Sequence, residues 1–226
     1  MGLMKASSHA RSRGMFITFE GGEGSGKSTQ CKRLLARLTA LRINAVATRE
    51  PGGSPGAERI RQLLLEQSSE RFTPLAEVML FYAARSEHLE KLIRPTLSRG
   101  DWVICDRFSD STRAYQGLDG RIKESDLEVM EQFVVRDTKP DLTFLMDVPA
   151  AEGLKRAAKR RGDGAVDPFE KQSLGYHVGL RGKFRAMAGG EPDRWVIIDA
   201  TEPADVIEEQ IWQVVTERFK SRKGGL

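Results

Sequence analysis

Apolar residues gather along this chain in five short, nearly unbroken runs. They are Met15-Phe16-Ile17-Thr18-Phe19, Asn44-Ala45-Val46-Ala47-Thr48, Trp102-Val103-Ile104-Cys105-Asp106, Leu142-Thr143-Phe144-Leu145-Met146-Asp147 and Trp195-Val196-Ile197-Ile198-Asp199. Runs of this length without polar alternation predict strands buried on both faces, as in a parallel sheet. Between them the apolar positions recur at three and four, the spacing of one helix face. Leu34, Leu35 and Leu38 show it first. Further tracts predict helices from about Ala57 to Gln67, Pro74 to Arg99, Ser125 to Arg136 and Ala204 to Phe219. Ser125-x-x-Glu128 at the head of the fourth reads as a capping box. Strands alternating with helices predict an α/β fold: a five-stranded parallel sheet flanked by helices on both faces. One domain is expected over 15–220, with a polar, disordered extension at 1–14 and a flexible tail at 221–226.

The first strand runs into Gly21-Gly22-Glu23-Gly24-Ser25-Gly26-Lys27-Ser28, which fits G-x-x-x-x-G-K-[ST]. Strand, glycine-rich turn and helix start, in that order, form a cradle of backbone N–H groups aimed at an anion. Glycine lets the backbone approach phosphate oxygens closely. Lys27 is expected to reach the β- and γ-phosphates of a nucleoside triphosphate, and Ser28 to hold Mg²⁺. In such sheets ligands sit at the carboxyl ends of the strands. Glu20, Arg49, Asp106 and Asp147 fall there. Asp106-Arg107 suits a Mg²⁺-bound water or the phosphate-binding lysine and a second phosphate group, and Arg49 a share of that phosphate; the less favoured alternative, reading Asp106-Arg107 alone, is a surface ion pair.

Composition narrows the class. The 226 residues, 39% of them hydrophobic, supply one full core. No apolar run approaches the roughly 18 residues of a membrane helix. Met1 to Gly14 lacks the hydrophobic segment of a signal peptide. Two cysteines, Cys31 and Cys105, point to a reducing, cytoplasmic setting. The net charge of +4 is dispersed through an acidic background, so a phosphate-rich small substrate explains it as well as a polynucleotide does. Neither nucleic acid nor membrane is expected as a partner. His9, His88 and His177 lack metal-ligand spacing. A GTP switch needs an Asn-Lys-x-Asp reader, yet Asn44, followed by Ala45, is the sole asparagine.

With Thr48-Arg49-Glu50-Pro51-Gly52-Gly53, Phe81-Tyr82-Ala83-Ala84-Arg85, Asp106-Arg107-Phe108 and Ala114-Tyr115-Gln116-Gly117 in order behind the P-loop, the chain resembles bacterial thymidylate kinases from about Met15 to Arg218. The resemblance implies a P-loop nucleoside monophosphate kinase fold and transfer of the γ-phosphoryl of ATP to dTMP with Mg²⁺. The product is dTDP, on the route to dTTP, and the assembly a homodimer. It assigns ATP to Gly21 through Ser28 and the metal to Ser28 and Asp106. Arg49 and Arg107 would grip the dTMP phosphate, with Asp106 orienting it, and Glu23 would accept from the deoxyribose 3′-OH. Phe81 would stack on thymine and Arg85 donate to its O4. Thr112 and Gln116 would meet the base edge, while Tyr115 would lie where a ribose 2′-OH would protrude.

Gly153-Leu154-Lys155-Arg156-Ala157-Ala158-Lys159-Arg160-Arg161-Gly162 is by itself a solvated basic helix. Gly162 and Gly164 break it, as a lid over about 153–168 requires. Thymidylate kinases with glycine at the position of Gly24, where others carry a P-loop arginine, supply transition-state arginines from the lid. By this resemblance Lys27, Arg107 and the lid arginines Arg156, Arg160 and Arg161 are catalytic, with the choice among the three open.

Overall fold

All five apolar runs are strands of one parallel sheet: β1 (Phe16–Glu20), β2 (Ala45–Arg49), β3 (Trp102–Asp106), β4 (Leu142–Asp147) and β5 (Trp195–Asp199), in the order β2-β3-β1-β4-β5. The computed structural model describes residues 13–65, 72–118, 120–162 and 169–219. Each strand sends alternate side chains to opposite faces. Ile17, Phe19, Ile104, Phe144 and Met146 join a core closed by α1 (Lys27–Ala40) and α9 (Ala204–Phe219). Phe16, Val103 and Cys105 enter a second core on the other face. Leu145 and Trp195 belong to a third, with Leu180 and Phe184. Arg37 ties α1 to α9 through Glu208 and Glu209, at 2.6 and 2.8 Å.

The other helices are α2 (Pro55–Leu65), α3 (Pro74–His88), α4 (Arg94–Ser98), α5 (Ser109–Gln116), α6 (Glu124–Val134), α7 (Ala150–Arg161) and α8 (Leu174–Gly190), of which α4, α5 and α8 put buried side chains into the second and third cores. The helix expected from Pro74 to Arg99 is α3, a π-helical turn at Leu89–Ile93 and α4. Pro95 has no N–H and its ring crowds the carbonyl four residues back; the π turn just before it absorbs that break. The capping box at Ser125 does not form. Helix α6 starts one residue earlier, at Glu124, without a side-chain cap. Glu124 instead pairs with Arg113 and Lys183 at 3.0 and 2.7 Å, a carboxylate favoured at a helix start.

Of the extension expected at 1–14, Arg13 and Gly14 are held by the fold: the Gly14 N–H donates to the Leu97 carbonyl at 2.8 Å. Residues 1–12, the Gln67 end of the second helical tract, Gly164 with the rest of the lid to 168, and the tail 221–226 lie outside the described residues. Among the described residues no helix is long and apolar enough to cross a membrane.

Candidate active site

Strand β1 is central: the chain passes from it to β2 on one side, and after β3 it crosses to β4 on the other. The loop after β1 therefore opens at the switch in strand order, where the sheet leaves a crevice. The P-loop fills it. Gly26 takes φ 89° at the N-cap of α1, and Gly24 takes φ 65°. A Cβ on Gly24 would stand 2.0 Å from the Gly153 carbonyl oxygen of α7, so only glycine lets that helix rest against the loop. Lys27 is buried, and its ammonium donates to the Gly21 and Gly22 carbonyls and Ser25 Oγ at 3.0, 2.7 and 3.2 Å. Burial, with Arg107 adding, lowers its pKa to about 8, against the pull of Glu23, Asp106 and Glu20. The ammonium is thus mostly charged at neutral pH.

The end of β3 supplies the facing groups. Asp106 accepts a short hydrogen bond from the Ser28 hydroxyl. Arg107 adopts φ 69°, a left-handed conformation rarely taken by a residue with a side chain and often found at functional sites. Its guanidinium donates to the Gly21 carbonyl, Ser111 Oγ and Glu23 Oε1 at 3.0, 3.2 and 2.8 Å. Glu23 Oε1 also accepts from the Tyr115 hydroxyl at 2.7 Å. Burial pushes the Glu23 carboxyl up, but Arg107, Lys27 and that hydroxyl outweigh it and hold the pKa at about 2. Behind them Glu20 is fully buried and accepts from the Phe108 N–H and Ser111 hydroxyl at 2.7 and 2.6 Å. Burial first, then Asp110, raises its pKa to about 8.

A cavity of about 450 Å³ runs from the P-loop to α3 and α5. Arg85 closes its far end, 2% exposed: Nε donates to Glu50 at 2.8 Å, and Nη2 to the Phe108 carbonyl and Thr112 Oγ1 at 3.2 and 3.0 Å. Its Nη1 is buried without a partner. Glu50 also accepts from His88 Nδ1 at 3.0 Å, so one carboxylate fixes both side chains. Phe81, Tyr115 and Gln116 line the walls, and the Gln116 amide donates to Glu77 at 2.9 Å. Arg49 lines the mouth with its guanidinium turned to Glu58 at 3.0 Å.

Every residue assigned to dTMP from the sequence therefore borders this cavity, as do Lys27 and Ser28. The lid arginines divide. Arg160 lines the cavity. Arg156 turns away, donating to the Ala200 carbonyl at 2.6 Å and pairing with Glu152. Arg161 pairs with Glu170. Asp147, grouped with the polar edge from sequence, is clamped by Arg181 and Arg185 of α8, both at 2.6 Å, away from the large cavity. Sequence reading gave no role to Glu50, Ser111, Phe169 or Glu170, although Glu50 stood in a quoted motif. Ser28 and Asp106 offer hard oxygen ligands side by side. Among the described residues no trio of His, Cys, Asp and Glu forms a metal cage. Mg²⁺ bound with substrate phosphates needs only such a pair.

A P-loop on the central strand of a β2-β3-β1-β4-β5 parallel sheet, opening on an arginine-lined cavity, defines a phosphotransferase with the nucleoside monophosphate kinase fold. The thymidylate kinase family model matches residues 19–211. The chain is 49% identical to the thymidylate kinase of Bradyrhizobium diazoefficiens over 207 residues, covering 92% of this chain and 91% of that one. It is 47% identical to that of Afipia carboxidovorans over 220 residues, covering 97% and 96%. The crystal structure of thymidylate kinase from Ehrlichia chaffeensis superposes with a TM-score of 0.71 at 33% identity, over 90% of this chain and 99% of that one. This chain belongs to the thymidylate kinase family.

Proposed function

We propose that the protein transfers the γ-phosphoryl group of ATP to the 5′-phosphate of dTMP, giving dTDP. One observation carries the reading of the acceptor. The cavity facing Lys27 and Ser28 ends on a buried arginine whose Nη1 lacks a partner, beside the Thr112 hydroxyl. A guanidinium N–H can donate to the O4 carbonyl of thymine but not to the amino group of cytosine, and a buried donor left unpaired penalises the wrong base. Phe81 supplies a flat face for the ring. Glu23, ionised and already accepting from Tyr115, is suited to a sugar hydroxyl.

The chemistry is positioning and charge neutralisation. Arg107, its backbone N–H donating to the Phe19 carbonyl at 2.9 Å and its side chain to Ser111 Oγ, presents its guanidinium between the P-loop and Tyr115, where it can bind the acceptor phosphate. Arg49 joins it on leaving Glu58. Lys27 exchanges its loop carbonyls for phosphate oxygens, and Arg160 faces the same space from α7. Ser28 and Asp106 would hold Mg²⁺, which when bound neutralises phosphate charge. The assay that tests the reading is coupled ADP release with dTMP, dCMP, UMP, AMP and GMP. We expect dTMP to lead clearly, and equal turnover of dCMP would overturn the Arg85 argument.

A second copy of the chain is the expected partner. Leu75 and Met79 of α3 and Val129 and Phe133 of α6 stand on packed neighbouring helices and are all about half exposed or more. Such a patch is the kind a subunit covers. The buried free thiols of Cys31 and Cys105 support a reducing, cytoplasmic setting.

A further inference from the structure

The Arg85 guanidinium is a planar group with one free edge, and what matters is where that edge points. The rings of Tyr82 and Phe108 lie against it, their centres 4.9 and 5.3 Å from its central carbon. A ring face restrains the tilt of a planar cation and leaves its in-plane direction to hydrogen bonds. Those bonds hold Nη2 on the Phe108 carbonyl and Thr112, and Nε on Glu50 Oε2 at 2.8 Å. Nη1 is the edge that remains without a partner.

Glu50 is fixed more firmly than the arginine it holds. Its side chain is only 4% exposed, and its N–H donates to the Asp106 carbonyl at 3.0 Å, which continues the pairing of β2 with β3. Its other oxygen, Oε1, accepts from His88 Nδ1 at 3.0 Å, and the Thr48 hydroxyl pairs with His88 Nε2 at 2.8 Å. His88 is fully buried, and the Gly52-Gly53 turn closes over it: a Cβ on Gly53 would stand 2.3 Å from Nε2. A carboxylate tied at both oxygens cannot follow Arg85, so Arg85 takes its direction from the carboxylate.

We propose that Glu50 is a positioning residue for base choice: it sets the in-plane direction of the Arg85 guanidinium, so that Nη1 meets a pyrimidine carbonyl and refuses an amino group. The inference rests on the reading of Arg85 as the residue that meets the acceptor base. An Arg85 free to rotate would swing Nη1 away from an amino group and accommodate it. A carboxylate needed only to neutralise the buried guanidinium would, when removed, weaken both bases alike; a misaimed Arg85 weakens dTMP more than dCMP.

Titration calorimetry of dTMP and dCMP on Glu50→Gln, Glu50→Asp, Arg85→Ala and the double variant Glu50→Gln with Arg85→Ala, each with a thermal melt, tests it. Glu50→Gln should raise the dTMP Kd about tenfold and the dCMP Kd less than about threefold. Glu50→Asp keeps the charge at a shorter reach and should narrow the preference in the same direction, which covers a folding failure of the glutamine variant. The ATP KM of both should stay within about twofold of wild type, because the P-loop is untouched. The double variant should match Arg85→Ala in preference within about twofold, since Glu50 acts only through Arg85. A folded Glu50 variant that keeps the wild-type ratio of the two Kd values, or that raises the ATP KM in step with the dTMP Kd, overturns the positioning role. So does a double variant whose loss of preference is the product of the two single losses. Wild-type protein that binds dTMP no better than dCMP, or Arg85→Ala with its preference intact, would instead remove the reading on which the inference rests.

Discussion

Glu23 has two acceptor oxygens and is charged in a place where burial alone would neutralise it. Arg107 and Lys27 reverse that, and the consequence is measurable in acid. A carboxylate whose folded pKa lies below its ordinary value contributes stability above about 4.5, and this is lost as pH falls toward about 2. The amount is on the order of 3 kcal/mol. Stability of Glu23→Gln should therefore fall less steeply than wild type between those pH values, by thermal melts in matched buffers. At neutral pH the same variant should lose about tenfold to a hundredfold in kcat/KM for dTMP, since a charge-assisted acceptor disappears. Gly24 makes the opposite point, that an absent side chain can be required. Gly24→Ala puts a Cβ onto the Gly153 carbonyl in a left-handed conformation, and should lower Tm by about 4–8 °C by calorimetry. The motif carboxylates and arginines were legible from their neighbours in the chain. The clamp of Glu50 on Arg85 and His88 was not, because it joins residues 35 and 38 positions apart.

Among the elements, α7 decides which basic residues can act. A helix facing the P-loop on one side and the β5–α9 connection on another sends arginines four residues apart to different partners. Arg156 is bound to the Ala200 carbonyl, while Arg160 borders the cavity. Charge on the transferring phosphoryl is greatest near the transition state, so Arg160→Ala should cut kcat at least about a hundredfold with the dTMP KM held within a few-fold. Arg156→Ala should cost less than about tenfold in kcat, with a loss of thermal stability, because it anchors a loop. Comparable kcat for the two variants in single-turnover assays would return α7 to the status of a solvated basic helix. The apolar runs announced every strand to within a residue, since buried parallel strands need continuous apolar sequence. Helix α8 was missed because Gly175, Gly179, Gly182, Gly189 and Gly190 disfavour a helix locally. Its signal was Leu180, Phe184 and Ala188, spaced by four, and their burial against β4 and β5 overrides propensity. Phe169 gave no such signal, being placed by tertiary contacts beyond a glycine break.

At the scale of the whole molecule, the strand order puts every functional group on one edge of the sheet and leaves α3 and α6 with a face that does nothing for the site. Phe133 is 77% exposed and Val129 65%, one turn apart, beside Met79 and Leu75 on α3. A chain with a full core elsewhere has no folding reason to expose them, and burying them against a symmetric copy would remove apolar surface at about 25 cal/mol per Å². Helix α3 also carries Phe81 and Arg85, so a partner pressed on its outer side would steady the wall of the acceptor pocket. Light scattering at micromolar concentration should give the mass of two chains. Val129→Glu combined with Phe133→Glu should give one, because charges at the centre of an apolar interface are not solvated by the partner. The dissociated variant should keep its ATP KM and lose affinity for dTMP, as α3 but not the P-loop has lost its support. A dimer that survives both charges would move the interface to another surface, and a wild-type monomer would leave the apolar face unexplained by self-association.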